Sequence, residues 1–444
     1  MFTPYWWTSL FIPLALSPRG LTAPTSTAAL CPSAPAPSFP LVAAPGWTAG
    51  TVLGGLTAPR AIKLDTLGNL LILQRGVGVT AHTLTLDGCV SSSKTIIADT
   101  TLNHAVELNL LGTKLFASSP SNVFSWDYNP LTQTATNKQT LIIGTNEVNN
   151  ITRTLLVPRL SPNRLVVSVG PNANIDLDAF DPDDGHAQVR VFDLGAIGPT
   201  GVQYTSGQLL GFGLRNDVGL AEDRAGIVHS VENSIDDAFL VVDGQRQDIR
   251  ENNPADKIYN LGSPALPPNL FGGYPFCFTV WDTTDFRSES LQRGDWYYDS
   301  RFVLEDNGTM TNVWCDQNAR KPTVLLPPHS APLDMEFGIG TDTNLYVGMH
   351  GSFDRTPGAG YKVVAVPGSF SLTGEWSPNI ELVETVETSF TDILKNDDDL
   401  ECNAATSGSP AGCFRPVGLE FTLTGQRLYI SSDTTGEIFL LQKN

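Results

Sequence analysis

Arginine, histidine and amide side chains recur in this chain at matching points beside apolar runs. Before one set of runs stand Arg60, His104, Arg215 with Asn216, His329 with Ser330, and Arg415. After a second set stand Arg75, Asn172 and Asn174, Glu232 with Asn233, the stretch His350 to Arg355, and Ser432 with Asp433. A guanidinium presents a planar fork that binds a carboxylate through two bonds. An imidazole titrates near neutrality and can take a proton from a hydroxyl within hydrogen-bond reach. Taken singly, each of these residues can be a turn residue that satisfies nearby backbone groups. Repeated at equivalent places the set says more, because cations converging in an acidic protein need an anion to neutralise them.

Positioning them requires repeated elements. From Gly213 to Asp237 an alternating run (Val218, Leu220), a turn (Glu222 to Gly226) and a second apolar run form a hairpin pattern. Looser versions begin at Pro59, Asn103, Ser161, Ala331 and Phe414, giving six copies whose second strands start near Leu70, Leu115, Leu165, Ile227, Leu345 and Leu428. Repeats of roughly 40 to 60 residues with a few strands each are blade-like. The expected fold is all-β, a six-bladed β-propeller with a long insertion, about Ala238 to Pro328, between the fourth and fifth hairpins. The first polar set and the second fall at the ends of the innermost strands, at one end or at both according to which strand is innermost. Closing the ring requires the last apolar positions, Ile438 and Phe439, to lie beside an early strand, which removes an exposed sheet edge.

Composition agrees with many short strands joined by turns: 444 residues with 40 Gly and 31 Pro, and a net charge of −19. That charge disfavours nucleic acid and anionic membranes as partners. Residues 1–23 have an apolar core from about Leu10 to Leu16 followed by small residues and read as a signal peptide for secretion. Residues 24–45, rich in Pro, Ala and Ser, read as an extended lead-in, and residues 46–444 as the propeller. An even set of six cysteines without a CxxC reads as disulfides. Many pairings are open to six cysteines. Sequence order suggests Cys31 with Cys89, Cys277 with Cys315, and Cys402 with Cys413. Sequons at Asn150 and Asn307 offer glycosylation sites on such a route.

An ordered series of motifs carries a resemblance. LNHAVEL, GLRNDVGL, SVENSIDD, NNPADKIYNLG, GGYPFCFTVWD, HSAPLDMEF, HGSFDR followed by GYKVVAVP, and CFRPVGLEF with SSDTTGEI run from about Pro59 to Phe439. In this order they are similar to the fungal pyrroloquinoline-quinone-dependent pyranose dehydrogenases. That family is related to the L-sorbosone dehydrogenase-like and soluble bacterial quinoprotein glucose dehydrogenase propellers. The resemblance implies an enzyme with pyrroloquinoline quinone and Ca2+ lying across one mouth of the ring. It would oxidise the anomeric C1 hydroxyl of a pyranose sugar by hydride transfer to the quinone. His104 would be the general base. Arg215 and Asn216 would hold the reactive quinone oxygens. Arg415, Arg75, Arg60 and the loop carrying His350, Phe353, Asp354 and Arg355 would hold the carboxylates and the ring, and the Asn233-Ser234 turn would bind calcium.

Two departures are visible. The family loop reads HGSWNR, so Phe353 replaces Trp and Asp354 replaces Asn. The new carboxylate faces an anionic cofactor unless it pairs with Arg355 or reinforces the metal. No cytochrome-like haem segment or cellulose-binding module follows the propeller in this sequence. The expected partners are therefore the sugar and a diffusible quinone or secreted redox protein, with the chain acting as a monomer. Two other classes share such a ring: a calcium-dependent hydrolase or lactonase centred on Glu232, Asn233 and Asp433, and a propeller that only binds a partner. The several arginines favour the dehydrogenase.

Overall fold

A computed structural model of the chain describes residues 30–145, 148–242, 245–286, 290–299, 310–398, 402 and 413–444. The expected signal peptide and the Asn307 sequon lie outside the described residues. Among the described residues, six sheets of four or five strands succeed one another along the chain. Each blade starts with its innermost strand: Pro59–Leu64, Val106–Leu108, Leu155–Leu156, Asn216–Glu222, Pro332–Phe337 and Pro416–Phe421. These inner strands neighbour one another in turn, and the strand Pro59–Leu64 meets Pro416–Phe421 to complete the circle.

The second strands of the first and fifth blades read as nearly continuous apolar runs because both of their faces are covered. Leu70–Gln74 and Leu345–Met349 are buried at every position. The main apolar clusters lie between successive blades: Leu71 and Leu73 pack with Leu115 and Trp126, and Leu220 and Tyr259 pack with Val166 and Val191. A residue on a blade face is thus fixed by two sheets at once, which holds the strand ends at the mouth of the ring in place.

Closure is by the N-terminal strand Trp47–Leu53, which pairs antiparallel with the last strand, Glu437–Lys443. Its register, Thr51 opposite Phe439 and Leu53 opposite Ile438, is the one the final apolar positions require. The lead-in is not wholly outside the ring, as its composition suggests. Leu41–Ala43 pairs with Thr391–Asn396 at the outer edge of the fifth blade. A second difference concerns the third hairpin. Its first strand lies before Ser161, as the two residues Leu155–Leu156 paired with Val166 and Val167. Pro158, one residue beyond Val157, ends the pattern, since proline cannot donate to a ladder.

The insertion after the fourth hairpin interleaves the outer strands of that blade, Asp256–Gly262 and Val324–Leu326, with two small hairpins and the helix Asn312–Asn318. Thr311 caps this helix by accepting from the Trp314 amide. Disulfides join Cys31 to Cys89, Cys277 to Cys315, and Cys402 to Cys413, the pairing that sequence order suggests. The first pins the lead-in to the outer hairpin of blade one, and the second ties the helix to the strand Cys277–Thr279. Among the described residues, no helix is long and apolar enough to cross a membrane.

Candidate active site

Antiparallel pairing puts the start of each inner strand beside the end of its neighbour: Pro59 opposite Gln74, Asn216 opposite Asn233, Pro332 opposite Met349 and Pro416 opposite Ser432. Both polar sets therefore gather at one mouth of the ring. The start positions are Arg60, His104, Arg153, Arg215, His329 with Ser330, and Arg415, one group per blade. Arg153 escaped the sequence reading because its inner strand is only two residues long. It is fully buried and donates to the carbonyls of Pro120, Asn150 and Thr152, tying the second blade to the third.

One side of the mouth is a connected set of basic groups. Arg60 donates to Nδ1 of His104 from Nε at 3.4 Å and Nη2 at 3.2 Å, and from Nη1 to Asp433 at 2.6 Å. Asp433 also meets Nε2 of His350 at 2.8 Å. Arg415 donates to the carbonyls of His350 and Gly351, with its guanidinium carbon 5.5 Å from the ring centre of Tyr361. Burial, with Arg60, Arg75 and Arg153 adding, holds the His104 imidazole well below its ordinary pKa. Burial likewise lowers His350 to about 4, partly opposed by Asp433. Burial alone would raise Asp433; His350 and Arg60 instead hold its carboxyl far below the usual range. Both rings are neutral near pH 7, and the acid between them is ionised.

The other side is a recess lined by Arg215, Asn216, Asn233, Ser234, Asp236, Asp256, His329 and the loop Ser352-Phe353-Asp354, with Asn150 at its edge. It is a shallow recess, ≈ 410 Å³ with the open solvent at its mouth counted. Gly170 makes room for Asn216: a Cβ there would lie 2.6 Å from Asn216 Oδ1. Arg215 is buried and donates to the carbonyls of Asn233 and Ser234, to Asn174 and to Asp236. Asp256, pushed up to about 6 by burial, accepts from the Ser234 amide and the Ser330 hydroxyl and so fixes the turn. Ser234 Oγ is buried without a partner among the described residues. Asn150, the sequon residue, holds a positive φ of 43° and donates to the Pro171 carbonyl at 3.4 Å.

Asp354, Arg355, Phe353 and Arg75 are the remaining expected residues. Asp354 does not pair with Arg355. Its Oδ2 is 3.2 Å from His329 Nδ1, and Arg355 donates to the Pro328 carbonyl instead. Burial raises the Asp354 carboxyl, with Asp236 adding and His329 opposing. Phe353 is 60% exposed at the rim, and Arg75 is exposed beside the Arg60 cluster. In the sequence Asn150 was legible only as a sequon and Asp256 only as part of the motif NNPADKIYNLG, neither as a residue of the site. Asp433 was visible as a position, but its tie to Arg60 and His350 spans distant repeats.

A family profile described as TrAA12-like matches residues 41–444. The chain belongs to the TrAA12-like family. It is 50% identical over 421 residues to a pyrroloquinoline quinone-dependent pyranose dehydrogenase of Coprinopsis cinerea, covering 94% of this chain and 57% of that relative. The chain thus spans little more than half the length of that curated relative. The holo form of the Coprinopsis cinerea pyranose dehydrogenase PQQ domain superposes with a TM-score of 0.89 at 50% identity, over 93% of this chain and 99% of that one. A calcium structure of the Trichoderma reesei family AA12 enzyme gives 0.82 at 36% identity, over 91% and 98%. The TrAA12-like assignment covers all six blades and both sides of the mouth.

Proposed function

We propose that this chain is the sugar-oxidising propeller of a secreted quinoprotein. It binds pyrroloquinoline quinone and calcium at the mouth described above and oxidises pyranose sugars at the anomeric carbon, the C1 hydroxyl losing its proton and the C1–H bond its hydride. The observation that carries this reading is the convergence of Arg60, Arg215 and Arg415 with His104 at one mouth of an otherwise acidic protein. The relatives named as quinone-dependent, and the calcium structure among them, support it.

The residues present fit both groups. Three buried guanidiniums and exposed Arg75 suit a multiply carboxylated anion. The Asn233 and Ser234 carbonyls and the unpartnered Ser234 hydroxyl are hard oxygen donors suited to calcium. When bound, the quinone would supply a two-electron acceptor and calcium a Lewis acid. Arg215 and Asn216 orient and stabilise charge at the recess. Arg60, Arg75 and Arg415 neutralise carboxylates, and Phe353 forms a rim that limits water.

His104 takes the sugar's proton. Arginine can only donate, so Nδ1 of His104 is the acceptor in the Arg60 contact and the neutral ring carries its proton on Nε2. The lone pair that can take a proton is therefore the one Arg60 guards. Asp433, already 2.6 Å from Arg60, is the anchor that holds the guanidinium when it leaves the imidazole. Residues 1–23 serve as the secretory leader and residues 46–444 as the catalytic propeller, acting as a monomer that passes electrons to a diffusible quinone or a secreted redox protein. The test is dye reduction with sugar by protein loaded with quinone and calcium. Chelation should abolish it and calcium restore it; unchanged turnover after exhaustive chelation and dialysis would remove calcium from the account.

A further inference from the structure

His329, Asp354 and Asp236 meet on one wall of the recess, each offering a ligand atom within 4.8 Å of the other two. They come from three separate segments: the start of the fifth blade, the loop after its second strand, and the turn after the second strand of the fourth blade. His329 and Asp354 have side chains only 3% and 8% exposed. Among the described residues, Oδ1 of Asp354 is buried without a partner, as is Nε2 of His329, across the ring from the Nδ1 that faces Asp354. A buried carboxylate oxygen with no donor costs free energy that a cation would recover. Asp236 is already braced, since Arg215 donates to its Oδ2 at 2.8 Å and its amide donates to Asn174.

We propose that His329, Asp354 and Asp236 form a binding site for a divalent transition cation of the zinc class, separate from the Asn233-Ser234 turn. One imidazole and two carboxylates are a three-ligand set that leaves a fourth position open, here toward the recess. Imidazole nitrogen favours zinc and its neighbours over calcium, which takes six to eight oxygens. The site depends on the departure of this chain from the family loop, because an Asn at position 354 would supply neither the charge nor the second anionic ligand. A cation there cancels the two carboxylates on the wall that faces the anionic ligand. The recess can then hold acidic side chains without repelling what it binds.

The probe is Co2+, whose visible absorption reports its ligand geometry. It is titrated into full-length, quinone-free protein with calcium in excess, so that hard-oxygen sites are filled. The expected result is a saturable band at one equivalent per chain, displaced by Zn2+ and indifferent to further calcium. Asp354→Asn, which restores the family residue and should fold normally, should weaken Co2+ by more than the roughly 10- to 100-fold typical of disturbing a ligand's outer partner. His329→Gln should do the same, while Asp354→Glu should retain the band. Absence of a saturable band overturns the proposal. So does a band of the same affinity in Asp354→Asn, which would place the cobalt on other groups. The readout does not involve quinone or turnover, so its failure leaves the dehydrogenase reading untouched.

Discussion

At the scale of single residues, the proton chemistry rests on a buried imidazole that stays neutral. Desolvation and the surrounding arginines hold His104 well below its ordinary pKa. A base with a lowered pKa keeps its lone pair into more acidic solution, so the acid limb of kcat/KM should lie well below pH 6.5. A limb at the ordinary histidine value would mean that the base is exposed. His104→Ala should leave quinone affinity near that of the native protein while turnover falls on the order of 10²- to 10⁴-fold. His350 is the competitor, being neutral and held at Nε2 by Asp433. If His350→Ala loses turnover with affinity intact while His104→Ala does not, the base belongs to the fifth blade. Asp354 makes a separate prediction. Its carboxylate lines the recess, and without a transition cation it repels an anion there. Asp354→Asn should bind quinone more tightly in calcium alone, with the gain shrinking as salt rises. Weaker binding by the Asn protein would show that the contact with His329 matters more than the repulsion.

At the scale of elements, the mouth is built from short loops whose backbones admit few substitutes. Gly351 has φ +100°, and a Cβ on it would come within 2.2 Å of the Tyr361 ring. Its carbonyl also receives Arg415. Gly351→Ala should therefore cost at least about 1–3 kcal/mol in stability and weaken quinone binding through Arg415. Urea unfolding and absorbance titration of the same variant check both, and an unchanged midpoint would mean that the loop relaxes. These loops also show what the sequence can and cannot tell. Arg215, Asn216 and Arg415 were legible because each sits at the start of an alternating strand long enough to declare its period. Arg153 was not, because its strand is two residues long and followed by proline. The pairing of Asp354 with His329 rather than Arg355 was illegible for another reason. Neighbours along a chain are easy partners to imagine, but in a tight loop Arg355 is turned to a backbone carbonyl.

At the scale of the whole molecule, closure decides whether the mouth exists. The sequence showed that Ile438 and Phe439 needed an early strand, and Trp47–Leu53 supplies it. What it could not show was that Leu41–Ala43 reaches the fifth blade, since three residues in a Pro- and Ala-rich lead-in carry no period. The closed ring brings cations from blades one, four and six, far apart in sequence, to a single opening in a protein of net charge −19. Cations so placed raise the local concentration of an anion that the rest of the surface repels. The measurement that tests this most directly is an absorbance titration of the calcium-loaded, quinone-free protein with pyrroloquinoline quinone, run beside Arg415→Met. The account predicts saturation at one quinone per chain, and binding at least about tenfold weaker in the variant, the loss expected when a charged hydrogen-bonding partner worth about 1.5–3 kcal/mol is removed. Absence of saturable binding, or equal affinity in Arg415→Met, would contradict it.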